Sequence, residues 1–188
     1  MDKLTLAPAN YLYPAPVVVV SCGAGERANL ITLAWAANVC AEPPQLAIAV
    51  RPTRHSHGLI AEAGGFVVNL PAVRHVGAVD FCGTFSGRDV DKWKETGLTP
   101  VASERVKPPR IGEFPVNLEC VLRHTLPLGS HDLFVGEVLA VYVDRSVTGE
   151  DGRVDPDRLA SVVYGHGRSY YGLGGTLGKA YQARRKKG

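Results

Sequence analysis

The sequence predicts a mainly β fold, an antiparallel barrel with small helices packed on its outside. Three observations predict it. Short β-branched runs outnumber segments with helical periodicity. The 21 glycines and 13 prolines supply many turns. The connections between the runs are short and hairpin-like, without the regular helical crossovers of a parallel sheet. A length of 188 residues is ordinary for one domain.

The first half of the chain alternates strands with turns. Val17 to Ser21 and Leu30 to Trp35 predict two strands, and Gly23-Ala24-Gly25 predicts the turn of their hairpin. Pro43 and Pro44 end the next extended piece, because proline cannot donate to a ladder. The remaining elements predicted here are strands over Leu46 to Val50 and Phe66 to Leu70, and short helices over Ser56 to Ala63, Val73 to Phe81 and Val90 to Thr96.

Long strands return after Pro115. The segment from Asn117 to Leu128 alternates apolar and polar residues, and a Pro-Gly turn follows it. Asp132 to Asp144 then predicts a long strand, in which Gly136 marks a bulge or a close approach of another chain segment. The interpretation is one domain over residues 1–180, with a basic C-terminal tail over 181–188.

Composition and charge exclude several classes of protein. The net charge is 21 − 18 = +3, and four of the positive charges lie in the tail, Arg184 to Lys187. A terminal basic run is typical of a solvated end, so no nucleic-acid partner is predicted. No apolar run approaches the roughly 20 residues that span a bilayer, and the N-terminus lacks the pattern of a signal peptide. We therefore expect no membrane contact and a cytoplasmic location.

The cysteines predict no metal site. Cys22, Cys40, Cys82 and Cys120 are widely separated and form no CxxC pair. We expect reduced thiols that are buried as small apolar residues.

The candidate site depends on grouped residues, because GxGxxG, GxxxxGK[ST], HExxH and GxSxG motifs are all absent. The first group is Arg51, Arg54, His55 and Ser56, which follows an apolar strand and precedes a helix. Guanidinium groups, a hydroxyl and free backbone N–H groups at a helix start together suit a phosphate. The alternative is an ordinary charged loop.

Two further groups have a functional and a structural interpretation. In Ser86 to Trp93, Asp89 or Asp91 caps a helix, while Lys92 can reach a phosphate or the pyrimidine edge of a flavin. His131 begins a long strand and can face a cavity mouth, although most such histidines are exposed turn residues. Trp35 and Tyr164 are candidates for a wall that binds the ring of a ligand. The alternative is that they are ordinary aromatic residues of the core.

In their order and spacing, these segments resemble the flavin reductase-like family of FMN-binding split barrels, which includes flavoredoxins. The resemblance covers roughly residues 10 to 175. Ser56 stands where the family often has threonine, and Trp93 where it often has phenylalanine. The segments that carry it are NLITLAW with Asn29, Thr32 and Trp35, NVCAEPP from Asn38, RPTRHS, VNLP from Val68, CGTFSGRDVDKW from Cys82, HDLFVGEV from His131, and YGHGRSYYGLG.

The resemblance implies a fold, a cofactor and an assembly. The fold is a split, antiparallel, Greek-key β-barrel with short flanking helices. One FMN per subunit lies at or near the interface of a homodimer. By position, Arg54 and Ser56, grouped with Arg51, hold the phosphate, with Lys92 near the same end. The residues implied for the ring and ribityl chain are Asn29, Thr32, Trp35 and Asn38, with His131 and Tyr164 flanking the ring on its open side.

The implied function is that of an FMN-binding oxidoreductase. NADH or NADPH reduces FMN, and electrons pass to free flavin, ferric complexes or a partner protein. His131 helps to order the nicotinamide or the acceptor. One alternative is a flavoredoxin-type electron carrier that does not itself oxidise NAD(P)H. Another is a flavin- or haem-related binding module without redox turnover.

Overall fold

A computed structural model describes residues 1–180 and confirms the mainly antiparallel β fold with short helices. The predicted basic tail, 181–188, lies outside the described residues. The strands are β1 (Ala15–Pro16), β2 (Val18–Cys22), β3 (Asn29–Leu33), β4 (Ala36–Cys40), β5 (Gln45–Val50), β6 (Gly65–Leu70), β7 (Pro100–Val101), β8 (Arg110–Ile111), β9 (Val116–Pro127), β10 (Asp132–Val143), β11 (Val162–Gly165) and β12 (Ser169–Gly172). The α-helices are α1 (His55–Ala63), α2 (Val76–Thr84), α3 (Lys92–Thr96) and α4 (Pro156–Leu159).

One seven-stranded sheet forms the barrel. Its strand order is β3-β2-β6-β9-β10-β5-β4, and each neighbouring pair is antiparallel. The two edge strands, β3 and β4, are consecutive in the chain and are joined only by Ala34 and Trp35. The sheet curls until β3 lies beside β5, and the Ala49 N–H donates to the Trp35 carbonyl at 3.0 Å. A seam therefore runs between the edges of the barrel.

The apolar run of β2 is buried on both faces, which explains its lack of alternation. Val18 and Val20 point into the barrel, where they pack in one cluster with Phe66 and Phe134. Val19 points outward into a second cluster with residues of α2. A strand covered on both sides needs apolar residues at every position.

Gly136 has both properties that the sequence predicted. The pairing of β10 with β9 shifts register between Val135 and Gly136. A Cβ on Gly136 would lie 2.7 Å from the Phe66 ring and 3.0 Å from the Cβ of Cys120. Only glycine lets the core aromatic approach the strand this closely.

Helix α3 begins two residues later than predicted because Asp91 caps it. The Asp91 carboxylate accepts hydrogen bonds from the backbone N–H groups of Trp93 at 3.1 Å and Lys94 at 3.2 Å. The helix ends at Gly97, which has φ +69°. The cap fixes Lys92 as the first helical residue.

A second sheet and one cysteine differ from the predictions. The small sheet β1-β11-β12 pairs Ala15 with Tyr164, residues too far apart in the chain for a local pattern to reveal. Cys22, Cys82 and Cys120 are buried as expected, but Cys40 is exposed. The expectation for Cys40 was wrong because it lies on β4, an edge strand with one side open.

Within residues 1–180, no helix combines the length and the apolarity that a bilayer-spanning helix requires.

Candidate functional site

A cavity of about 280 Å³ lies where β5 ends and α1 begins, and we call it the cationic cavity. Its walls come from β3, the β5–α1 turn, and the segment that joins α2 to α3. It brings together seven predicted site residues: Asn29, Thr32, Arg51, Arg54, Ser56, Lys92 and His131.

The start of α1 presents backbone donors to this cavity. The Arg54 N–H donates to the Arg51 carbonyl at 2.9 Å, so a tight turn connects the end of β5 to the helix. Arg54 has extended dihedral angles and α1 begins at His55. The first N–H groups of a helix have no intrahelical acceptor, and the helix dipole adds partial positive charge there. The turn therefore aims unpaired donors at the cavity.

Ser56 and Asn29 are held together beneath this turn. Ser56 is buried, and its Oγ accepts a hydrogen bond from Asn29 Nδ2 at 2.9 Å. A Cβ on Gly87 would lie 2.1 Å from Asn29 Oδ1. Gly87 is thus required for the loop to pass over Asn29, and this packing fixes the amide in place.

The charges of the cavity have one sign. Of the described residues that line it, none carries a carboxylate. Burial lowers the pKa of His55, and the nearby cations of Arg88, Lys92 and Arg27 lower it further. Arg88 is anchored through a hydrogen bond to the Thr53 carbonyl at 3.2 Å. The lining cations are Arg51, Arg54, Arg88 and Lys92, so the cavity is complementary to an anion.

Lys92 lies in the wall of the cavity and has a structural role there. Its buried Nζ donates to the carbonyls of Leu30 at 2.7 Å and Cys82 at 2.8 Å. Two of its three N–H donors therefore join β3 to α2. Burial lowers the pKa of Lys92 and raises the pKa of the Cys82 thiol to about 11, so this thiol is protonated at neutral pH.

His131 stands at the mouth of the cavity as a neutral ring. Burial lowers its pKa, and the Arg51 cation lowers it further. Arg51 Nε donates to His131 Nε2 at 3.4 Å, while Nδ1 lies 2.9 Å from Ser130 Oγ. These contacts favour the tautomer with hydrogen on Nδ1. The ring lies 4.7 Å from Trp35, centroid to centroid.

A second hollow continues from the cavity, and we call it the aromatic recess. Trp35 and Tyr164 lie in this recess and not in the cavity, and their roles beside the FMN ring remain predictions. The recess is lined by Tyr13, Trp35, Asp80, Tyr164 and Tyr170, and it shares Thr32, Leu33, Ala49, Arg54, Gly83 and His131 with the cavity.

Asn38 does not join the other predicted residues within one chain. It is exposed on β4 and lines a separate groove with β10. It pairs with Leu46, three residues before the cavity residue Ala49, which corresponds to about 10 Å along a strand. A role of Asn38 in binding FMN remains a prediction.

Several lining residues were missed by the sequence analysis. Arg88 lies in the quoted segment CGTFSGRDVDKW, so the reasoning applied to Arg54 was a usable signal for it. Tyr170 likewise lies in the quoted segment YGHGRSYYGLG, beside Tyr164. Tyr13 and Asp80 carry no local signal, because the fold assembles them from distant segments. Among the described residues, no group of three His, Cys, Asp or Glu side chains could hold a metal ion.

Comparisons with known proteins agree with this geometry. The flavin reductase like domain family model matches residues 10–173. The structure of flavoredoxin from Desulfovibrio vulgaris (Miyazaki F) superposes with a TM-score of 0.91 at 34% identity, covering 97% of this chain and 99% of that one.

Two curated relatives add to the comparison. An uncharacterised protein of Archaeoglobus fulgidus is 37% identical over 145 residues, 77% of this chain and 80% of its own. The NADH-dependent FMN reductase AsuE2 of Streptomyces nodosus subsp. asukaensis is 29% identical over 129 residues, 68% of each chain. The match spans most of the described chain, including every strand of the barrel, and on this basis the protein belongs to the flavin reductase like domain family.

Proposed function

We propose that this protein binds FMN and works as an NAD(P)H-dependent flavin or ferric reductase. One observation carries the proposal: a cavity with four cations and no carboxylate among its described lining residues opens directly into an aromatic recess. A ligand that suits both has an anionic group at one end and a planar ring at the other. FMN has this form.

The donor set of the cavity fits the phosphate of FMN. Arg51 and Arg54 offer guanidinium groups at the mouth, and the first N–H groups of α1 lie between them and the buried Ser56. Charge-assisted hydrogen bonds from such donors are the strong class of phosphate contact. The family membership supports the same assignment.

The opposite wall fits a flat ring. Ile31, Leu33 and Ala49 contribute apolar surface from β3 and β5. The Thr32 hydroxyl donates to the Val79 carbonyl at 2.6 Å, so this strand is fixed against α2. A rigid apolar wall beside a cationic end orients a ligand with little loss of freedom on binding.

The residues of the chain bind and orient, and the redox chemistry belongs to the cofactor. FMN, when bound, supplies hydride acceptance and the release of single electrons. His131 is neutral and held by Arg51 and Ser130, so it can accept or donate a hydrogen bond at the open side. It orients the nicotinamide or the acceptor. The acceptor is a flavin, a ferric complex or a redox partner protein.

A homodimer belongs to the same proposal. The N-terminal segment with Tyr11 and Leu12 forms an apolar groove with Trp35 and Val39, all of them exposed in one chain. A second copy covering this groove would bury Trp35 beside the recess. Sedimentation at micromolar concentration tests the dimer, and a monomer at that concentration would contradict it.

A flavoredoxin-type electron carrier is the second candidate function. The 34% identity and the near-complete superposition with the Desulfovibrio flavoredoxin favour it. The relative named an NADH-dependent FMN reductase favours the enzyme. The two candidates share the FMN site and differ in whether NAD(P)H is oxidised.

One experiment separates the candidates. Purified protein stripped of flavin is titrated with FMN, and the loaded protein receives NADH or NADPH without oxygen. We expect tight binding and bleaching of the flavin absorption by at least one nicotinamide. Bound FMN that only a chemical reductant bleaches would indicate the carrier, and bound flavin that neither bleaches would indicate a binding module. A failure to bind FMN would overturn the proposal.

A further inference from the structure

The aromatic recess has walls that accept a flat ring. Trp35 and His131 pack against each other on one side. On the other side Tyr164 contacts Tyr13 at 6.0 Å and Tyr170 at 5.8 Å, centroid to centroid. Aromatic side chains bind planar groups through offset stacking and edge contacts. The recess therefore offers aromatic faces and edges to a planar ligand.

The recess contains a carboxylate, which the described lining of the cavity lacks. Asp80, on α2, is the one carboxylate among the described residues that line it. The Tyr170 hydroxyl donates to Asp80 Oδ1 at 3.3 Å, which orients the carboxylate. Burial raises the pKa of Tyr170 to about 12, and Asp80 contributes to the rise, so this hydroxyl remains a donor at neutral pH.

The only lining cation among the described residues, Arg54, also faces the cationic cavity. When Arg54 pairs with a phosphate, it no longer offsets Asp80. His131 does not offset Asp80 either, because burial and Arg51 lower its pKa and keep it neutral. Among the described lining residues, the carboxylate of Asp80 is then the charge that a ligand in the recess meets without a counter-ion.

We infer that the aromatic recess is the site of the second substrate, and that Asp80 makes it specific for planar rings without a negative charge. This inference rests on the proposed function and names its substrate class. Uncharged rings such as a carboxamide-bearing pyridine or a quinone enter the recess, and rings that carry a carboxylate are repelled. The role of Asp80 is electrostatic selection at a distance, with no proton transfer.

A matched pair of probes tests the charge rule. FMN-loaded protein is titrated with benzamide and with benzoate, which have similar size and shape and differ by one negative charge. Binding is followed by the change in the visible flavin spectrum. We expect benzamide to bind about fivefold more tightly, the effect of one unscreened charge a few ångströms away in a water-like medium. Cyclohexanecarboxamide, which is not planar, should bind more weakly than benzamide.

Variants assign the effect to Asp80. In Asp80→Asn the ratio of the benzamide and benzoate affinities should fall to about one. Asp157→Asn is the matched control: it removes an exposed aspartate on α4, outside the recess, and should keep the wild-type ratio. The ratio should also fall in wild-type protein when salt is raised to about 1 M, where charges are screened within roughly 3 Å.

The outcomes separate this inference from the proposed function. Equal affinity for the two probes, no binding of benzamide, or an unchanged ratio in Asp80→Asn would overturn the charge rule while FMN binding stands. A salt-independent ratio in wild-type protein would overturn it even if Asp80→Asn does not fold. Failure of the wild-type protein to bind FMN would overturn both.

Discussion

The cationic cavity and the aromatic recess share a wall but make opposite demands on a ligand. The cavity presents Arg51, Arg54, Arg88 and Lys92, and the recess presents Asp80 among aromatic rings. The two surfaces meet at Thr32, Arg54 and His131. A ligand with one anionic end is thereby oriented, because reversing it would move the anion from four cations to the carboxylate of Asp80.

The two regions are also built differently. The cavity comes largely from two continuous segments, the β5–α1 turn and the stretch from Cys82 to Lys92. The recess needs the N-terminal segment, β3, β5, α2, the turn before β10 and the β11–β12 hairpin to meet. Substitutions in the cavity should therefore change the binding of an anion, and substitutions in the recess should change turnover.

The largest effect on FMN affinity is expected from a substitution at Gly87 that disrupts the wall of the cavity. In Gly87→Val the new Cβ would lie 2.1 Å from Asn29 Oδ1, so the Asn29 amide must move away from Ser56. Overpacking of this kind costs about 1–3 kcal/mol of folding stability. Because the fold relieves the clash by moving Asn29 and Ser56 out of the cavity wall, FMN affinity should fall strongly. Gly77→Ala is the control, since a Cβ there meets nothing within 4 Å. Equal FMN titrations for the two variants would contradict this packing argument.

The next effect is that a substitution of Arg54 should weaken binding of the FMN phosphate without weakening binding of the flavin ring. Arg54→Ala should weaken FMN binding roughly tenfold, the loss of one charge-assisted hydrogen bond. Riboflavin, which lacks the phosphate, should bind the variant and the wild type equally well. Arg54→Lys should recover part of the loss, since it keeps the charge without the paired donors. If the substitution weakens riboflavin binding as much as FMN binding, Arg54 does not hold the phosphate.

A smaller effect on turnover is expected at His131, which lines both the cavity and the recess. His131→Ala removes the ring that packs against Trp35 at a tilted angle and accepts a hydrogen bond from Arg51. Turnover with NAD(P)H should fall roughly fivefold, about 1 kcal/mol for one neutral hydrogen bond, while the Kd for FMN changes less than twofold. Steady-state kinetics and a flavin titration on the same preparation measure both. Unchanged turnover would remove His131 from the reaction.

The smallest effect is a pH dependence within the cavity wall. Burial lowers the pKa of Lys92 in the folded protein below its ordinary value of 10.5. Between that lowered pKa and 10.5 the unfolded chain binds more protons than the folded one. The contribution of this group to the free energy of unfolding therefore rises with pH across that window.

Urea unfolding of wild-type protein and Lys92→Met measures this dependence. Subtracting the two curves at each pH removes the titrations they share. The wild type should gain relative to the variant as pH approaches 10.5. A flat difference would mean that Lys92 has the same pKa in both states.

The sequence predicted those features that depend on neighbouring residues. The β2–β3 hairpin, the role of Gly136 and the cap at Asp91 each follow from a short pattern. The β5–α1 turn was found because its cations and its helix start are adjacent in the chain. Local chemistry determines these elements, so a single sequence is enough to predict them.

The recess was only partly predictable because long-range pairing assembles it. Tyr164 and Trp35 were candidates, but nothing near Tyr13 or Asp80 indicated that both reach the same hollow. The exposure of Cys40 and the distance of Asn38 from the cavity follow from the position of β4 at the sheet edge. Strand order determines such properties, and strand order is not encoded in any short segment.

The two-residue link between the edges of the barrel acts as a tether. Leu33 is the last residue of β3 and Ala36 is the first residue of β4. The three peptide units between them span at most about 11 Å when fully stretched. The two edge strands, β3 and β4, therefore cannot separate widely beside Trp35. Any separation of the two edges must therefore grow with distance from this link, and the wall beside Trp35 stays closed.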